Sequence, residues 1–209
     1  MTRIRIAIVL WVTTFLAMPG LTVLMLSPAG NRTIFAIWSQ CVMALGLVFL
    51  PSLPLSLGSF LFLFSRKYRQ DALKILYYSS VTSLVICFSL RNSYFVREAA
   101  FTHLAETSKP LVDAVSAYDR KYGKPPEYLE QLVPEFLPQI PGTGMGAYPA
   151  YEYRYPVGDK RYGPWELSVP CSIGLLNWDI FFYWPSKNYP DHTYGGYTER
   201  MGDWAYVHE

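Results

Sequence analysis

The first 70 residues contain no aspartate or glutamate, and the first 92 contain only Asp71. No histidine precedes His103. Ion pumps, proton relays and many transporters need ionisable groups at mid-membrane, so this scarcity argues against transport. Cysteine is also scarce. Cys41 and Cys87 lie in apolar runs, and Cys171 is alone in the second half. No disulfide can form within that half, and a lone thiol there is expected to be buried and inert. His103, His192 and His208 are scattered. The chain has no His-x-x-x-His, Cys-x-x-Cys or Gly-x-Ser-x-Gly motif and no phosphate-binding glycine loop. Asp191-His192 beside Tyr194 is a common turn composition before it is a catalytic pair. No catalytic residue, no cofactor and no metal site is therefore assigned, and the expectation is a protein that is not an enzyme.

What the first half does hold is apolar length. Three runs free of charge occupy residues 6–31, 33–65 and 75–90. A bilayer core about 30 Å thick needs roughly 20 helical residues to span it. Three transmembrane helices are expected, over about 6–27, 34–64 and 72–91. Run one carries Pro19-Gly20, which a membrane helix tolerates with a kink. Its basic Arg3 and Arg5 also suit a signal peptide. Run two is longer than one straight span requires, and Pro51 and Pro54 predict a break near 51–54 or a re-entrant turn. Ser39, Gln40, Ser79, Ser80, Thr82 and Ser83 are read as helix–helix hydrogen-bonding groups. Trp11, Trp38, Tyr77 and Tyr78 suit either headgroup level or ordinary packing.

The charges divide the chain at Asn92. Residues 1–92 carry eight basic residues against Asp71, a net +7, and residues 93–209 carry 10 Lys/Arg against 15 Asp/Glu, a net −5. Nothing here points to nucleic acid. Arg3 and Arg5 precede run one, and Arg66, Lys67, Arg69 and Lys74 separate runs two and three. Only Arg32 lies between runs one and two. The positive-inside rule then puts the N-terminus and the 65–74 loop in the cytoplasm, and the 28–33 loop and residues 93–209 outside.

Residues 93–209 are long enough for one domain with its own core. Arg97, Phe101, Leu104, Ser108, Leu111, Val115, Tyr118 and Tyr122 recur at steps of three and four, one face of an amphipathic helix. Pro110 either kinks that helix or opens a second one capped by Thr107 or Ser108. Gly123 and Pro125-Pro126 end it. Leu129, Leu132 and Val133 then suggest a short helical turn facing the core. From Tyr151 the period becomes two. Tyr151, Tyr153 and Tyr155 alternate with Glu152 and Arg154, and Trp165, Leu167 and Val169 with Glu166 and Ser168. An antiparallel hairpin follows, its turn bracketed by Asp159 and Gly163. Residues 178–184 form a third candidate strand, and Trp204, Tyr206 and His208 a fourth. Residues 188–202 read as a surface excursion. Helix first and strands after predicts an α+β domain, a helix packed on a small antiparallel sheet.

The residues at this helix-to-sheet transition are Tyr118, Tyr122, Gly123, Pro125-Pro126, Leu129, Leu132, Val133-Pro134, Phe136-Leu137, Ile140-Pro141 and the Tyr-rich segment from Tyr151. Over about residues 72–170 the chain resembles the soluble domains of type IV pilins and type II secretion pseudopilins. The resemblance implies a long helix, half membrane and half soluble, lying on an antiparallel sheet. The anchor departs from that family. Leu21 to Met25 after Gly20 include no Glu, and the pilin-like helix is the third span, so the resemblance implies a static, membrane-anchored relative and no filament subunit. Some pseudopilins hold calcium in their C-terminal loop; Asn188, Asp191, Glu199 and Asp203 offer oxygen ligands here, but their spacing matches no ligand motif.

The expected protein is thus a multi-pass, non-enzymatic component of a bacterial cytoplasmic (inner) membrane. Its partners are the lipid bilayer and a protein of the membrane or envelope. The alternative is an accessory subunit of a membrane enzyme or of a transport or secretion complex. Seventeen tyrosines and six tryptophans either fill the core of the small sheet or form an exposed binding patch.

Overall fold

The computed structural model describes residues 2–158, 160–172 and 177–208. The chain forms two compact units. One comprises residues 1–25 and 31–97, the other residues 26–30 and 98–209. The expected boundary at Asn92 thus moves to Arg97, and the short segment between the first two helices joins the C-terminal domain.

The first unit is built from α1 (Thr2–Leu26), α2 (Arg32–Phe62) and the first part of α3 (Arg69–Thr107). All three are long and apolar enough to cross a membrane. Asn31 opens α2, its side chain accepting from the Ile34 N–H at 2.9 Å. α2 then runs through Pro51 and Pro54 without the expected break. Prolines are tolerated in membrane helices because serine side chains and neighbouring helices satisfy the backbone groups they free. The carbonyls freed by Pro51 and Pro54 are those of Leu47 and Leu50; nearby, Ser52 Oγ donates to the Phe49 carbonyl at 2.7 Å and Ser56 Oγ to the Ser52 carbonyl at 2.9 Å.

Hydroxyls in hydrocarbon are costly without partners, and these helices pair theirs with one another. Ser52 meets Ser83 and Ser56 meets Ser79, each at 2.7 Å, between α2 and α3. Trp11 Nε1 donates to Thr82 Oγ1 at 3.0 Å, Trp38 Nε1 to Thr22 Oγ1 at 2.8 Å, and Ser89 Oγ to the Thr14 carbonyl at 2.9 Å. Trp11 also packs against Tyr77 and Tyr78, so these aromatics serve interhelical packing. Ser39 instead bonds within its own helix, to the Ala36 carbonyl. The outward surface is apolar: Leu47, Leu57 and Phe64 are 71%, 73% and 81% exposed.

In the second unit the end of α3 continues past Ser108, with a bend, into α4 (Lys109–Tyr122). Of the two roles open to Pro110, the bend is the one observed. Ser108 sits at the junction in a helical conformation and makes no side-chain cap. Pro110 removes one helical N–H. The hydroxyl of Ser108 donates to the Leu104 carbonyl at 2.6 Å and meets Tyr151 Oη at 2.7 Å. Gly123, at φ 72°, closes the helix with its N–H on the Asp119 carbonyl. Leu129 and Leu132 face inward on a short 3₁₀ turn, but Val133, expected inside, is exposed.

The sheet is six-stranded and antiparallel, in the order β1-β2-β3-β6-β5-β4. Its strands are β1 (Glu152–Arg154), β2 (Glu166–Pro170), β3 (Ile180–Tyr183), β4 (His192–Thr193), β5 (Gly196–Met201) and β6 (Trp204–His208). Four of these match the expected strands, while Asp159 of the first turn lies outside the described residues. The 188–202 excursion is corrected: most of it is β4 and β5. Tyr194 and Gly195, at φ 52° and 88°, make a two-residue hairpin turn. Two positive φ values are what such a turn needs to match strand twist.

Phe101 of α3 packs on Phe181 and Tyr206 of the sheet, with centroids 5.0 and 5.3 Å apart. Leu104, Leu111 and Val115 are buried on the same helical stripe. The opposite sheet face is covered too, by Phe182, Trp184, Tyr189, Ala205 and Val207 with Tyr162 against them. That double covering is why Glu166 and Ser168 are buried although they alternate with Trp165 and Leu167.

Candidate functional site

Beside the core stripe of α3 and α4, Thr102, Glu106, Lys109 and Asp113 recur at helical spacing and line one wall of a cleft of about 410 Å³. The opposite wall is the β5–β6 turn, Met201 to Trp204, with Tyr183 and Lys187. Gly202, at φ 65°, allows that turn its left-handed residue. Lys187 Nζ lies 2.7 Å from Asp203 Oδ2. The hydrogen bond to Asp203 raises the Lys187 pKa, so it stays charged at neutral pH. Lys187 is itself at φ 52°, held by its N–H on the Trp184 carbonyl at 2.9 Å and by Arg200 donating to its carbonyl. The cleft therefore has buried aromatic rings, Tyr183 and Trp204, at its base and charges of both signs on its rim. Burial holds the Tyr183 phenol above its ordinary pKa. Donors, acceptors and rings in this arrangement suit recognition of a polypeptide segment.

On the other sheet face Glu166 is 2% exposed. It accepts from Trp184 Nε1 at 2.7 Å and from the Tyr194 hydroxyl, and Arg154 lies 3.7 Å away. Burial, then the hydrogen bond to Glu166, raises the Tyr194 pKa. This carboxylate ties β2, β3 and the β4–β5 turn together. At the far end of α4, Tyr118, Tyr122 and Phe136 cluster, with centroids 4.5 and 5.6 Å from Tyr118. Lys121 and Tyr122 both donate to Glu135 there. Lys121 first, then Tyr122, hold the Glu135 carboxyl below its usual pKa.

A third feature joins the segment before α2 to the domain. The Gly146 N–H donates to the Ser27 carbonyl at 2.9 Å. A Cβ on Gly146 would fall on the backbone of Gly30, so only glycine permits this approach. Leu26, Pro28, His103 and Met145 line a cavity of about 350 Å³ at this junction.

The residues weighed in the sequence are dispersed. Glu199 bonds His208 at 2.7 Å and Asp203 bonds Lys187, while the Asp191 carbonyl accepts from Thr198. The carboxylates of Glu199 and Asp203 thus face different partners, and among the described residues no group of three or more His, Cys, Asp or Glu side chains is placed to hold a metal ion. His192 lies on β4 against Tyr197, and Cys171 is buried. Sequence reading missed the cleft. Its helical wall is visible in the 102, 106, 109, 113 spacing, but its other wall comes from the turn read as an excursion. No family model, no curated protein and no solved structure matches this chain.

Proposed function

We propose that this protein is a static membrane anchor that presents its α+β domain outside the cytoplasm, where the cleft between α3–α4 and the β5–β6 turn engages a segment of another envelope protein. The observation that carries the reading is the bond from Gly146 to Ser27. It ties the loop after α1 to the C-terminal domain, so the two share one side of the membrane. Two crossings, α2 and α3, return the chain to that side. A re-entrant α2 would not. The excess of Arg66, Lys67, Arg69 and Lys74 at the other end of those helices supports a cytoplasmic assignment for the intervening turn. The long helix lying on an antiparallel sheet supports the pilin-like description, and the two additional spans support a role outside a moving filament. The self-satisfied hydroxyls of the helical unit support an anchor in preference to a transport path.

A photo-crosslinkable residue at Lys109, inside the cleft, is expected to give a discrete adduct in intact membranes. One at Glu130, outside it, is expected to give none. Equal labelling from both positions, or none from Lys109, rejects the cleft as the contact. A C-terminal fusion active only as a cytoplasmic reporter rejects the orientation.

A further inference from the structure

We infer that the groove between α2 and α3 is a binding site for one acidic phospholipid, its acyl chain against the serine-lined seam and its headgroup on the 66–69 turn. The groove has two adjoining parts that share Ile75. The larger, about 540 Å³, runs past Leu47, Val48 and Pro51 on α2 and Ser79 and Thr82 on α3, with Lys74 at its rim. The smaller, about 310 Å³, continues past Phe62 and Tyr68 to the turn. From Leu47 to Phe62, or from Tyr68 to Thr82, the helical rise gives a length of about 21 Å. That exceeds one leaflet of a hydrocarbon core about 30 Å thick, so a chain lying in the groove ends at the headgroup level. Proline at position 51 and serines along the seam leave the space open, because neither residue carries a long side chain into it.

Charge selects the occupant. The turn between α2 and α3 carries Arg66, Lys67 and Arg69, with Lys74 a turn further on, against a single carboxylate, Asp71, which lines the smaller part of the groove and is engaged by Lys74 at 3.0 Å. Arg66, Lys67 and Arg69 have no carboxylate partner among the described residues. Lys67 lies over the Tyr68 ring at 5.0 Å, and that ring lines the groove. Three unneutralised cations at the end of an apolar groove complement an anionic headgroup on an apolar chain. Basic residues at a membrane surface each add enough attraction for three of them to favour an anionic over a zwitterionic lipid by on the order of tenfold to a hundredfold. The inference does not depend on which face of the membrane the turn occupies.

The test uses full-length protein in a neutral detergent. It is titrated with phosphatidylglycerol or with phosphatidylcholine of the same chains, and bound lipid is read by native mass spectrometry and by the thermal unfolding midpoint. One phosphatidylglycerol is expected to bind at least about tenfold more tightly and to raise the midpoint. The triple variant Arg66→Gln, Lys67→Gln, Arg69→Gln is expected to bind both lipids alike. Val48→Trp, which keeps every charge and fills the groove, is expected to weaken both. Water-soluble glycerol phosphate is expected to leave the midpoint unchanged. Equal affinity of the parent for both lipids overturns the site, as does a preference that survives the triple variant. Undiminished binding by Val48→Trp, or a glycerol phosphate effect equal to that of phosphatidylglycerol, rejects the groove.

Discussion

Gly146 has a strict requirement, because the backbone of Gly30 occupies the space of its missing side chain. Gly146→Ala must push the 26–30 segment away and strain the bond to Ser27. Overpacking of this kind costs about 1–3 kcal/mol. Gly144, two residues earlier at φ 74°, has open space around it, so Gly144→Ala carries only backbone strain, at about 1 kcal/mol. Thermal unfolding of the two variants should rank Gly146→Ala as the more damaging; the reverse order removes the close approach from the account. Glu166 makes a second residue-level case. Glu166→Gln keeps an acceptor for Trp184 and Tyr194, whereas Glu166→Ala strands the buried Trp184 N–H at a cost of about 1–3 kcal/mol. Trp184 fluorescence should shift to the red in Glu166→Ala and hold in Glu166→Gln. Neither role was legible in the sequence. Glycine at 146 meets a residue more than a hundred positions away, and Glu166 occupies the outward phase of an alternating strand. Its burial follows from loops that cover the second sheet face, which periodicity in β2 does not record.

At the scale of elements, the helices were the more legible part. The spacing from Phe101 to Val115 marked the buried face because a 3.6-residue period survives a bend at Pro110, while Tyr122 at the end of the stripe is exposed. The strands with aromatic alternation were legible for the same reason. β4 and β5 were not, since Tyr-Gly is an uncommon dipeptide for a tight hairpin and Gly196 and Glu199 dilute the apolar pattern. Pro51 and Pro54 misled, because a rule drawn from water-exposed helices overstates the break in a membrane helix. The α2–α3 seam also makes a prediction of its own. Interhelical hydroxyl pairs in membranes average about 0.6 kcal/mol, so Ser56→Ala should barely alter unfolding in mild detergent. Ser56→Leu, which forces the backbones apart, should cost about 1–3 kcal/mol. Equal effects of Ala and Leu would show that hydrogen bonding, not close approach, holds the seam.

Across the whole molecule, the C-terminal unit gathers phenols whose pKa values all move the same way. Burial raises those of Tyr151, Tyr153, Tyr183, Tyr189 and Tyr194 above the ordinary value of about 10. An unfolded chain releases these protons near pH 10, whereas the folded domain holds them. Their contribution to stability is therefore complete below that pH and is lost as pH rises above it. Circular dichroism of the full-length protein should show an alkaline transition of the β domain coincident with tyrosinate absorbance. Tyrosinate appearing well before the loss of structure would show that the rings are accessible in the native state.

The path of the chain through the bilayer rests on two arguments that do not share premises. The first is charge: basic residues crowd the N-terminus and the 66–74 segment, and only Arg32 lies in the loop after α1. The second is parity: residues 26–30 and 98–209 form one compact unit, and α2 and α3 are the two long apolar helices that connect them. An even number of crossings is needed for that union, and a break at Pro51 that turned the chain back would make it odd. Paired topology reporters follow from this. Fusions after Ala29 and after Glu209 should report the same, extracytoplasmic side, and one after Lys67 the cytoplasmic side. Opposite sides for the Ala29 and Glu209 fusions would break the parity argument whatever the charges favour. The same side for all three would instead remove α2 and α3 as spans.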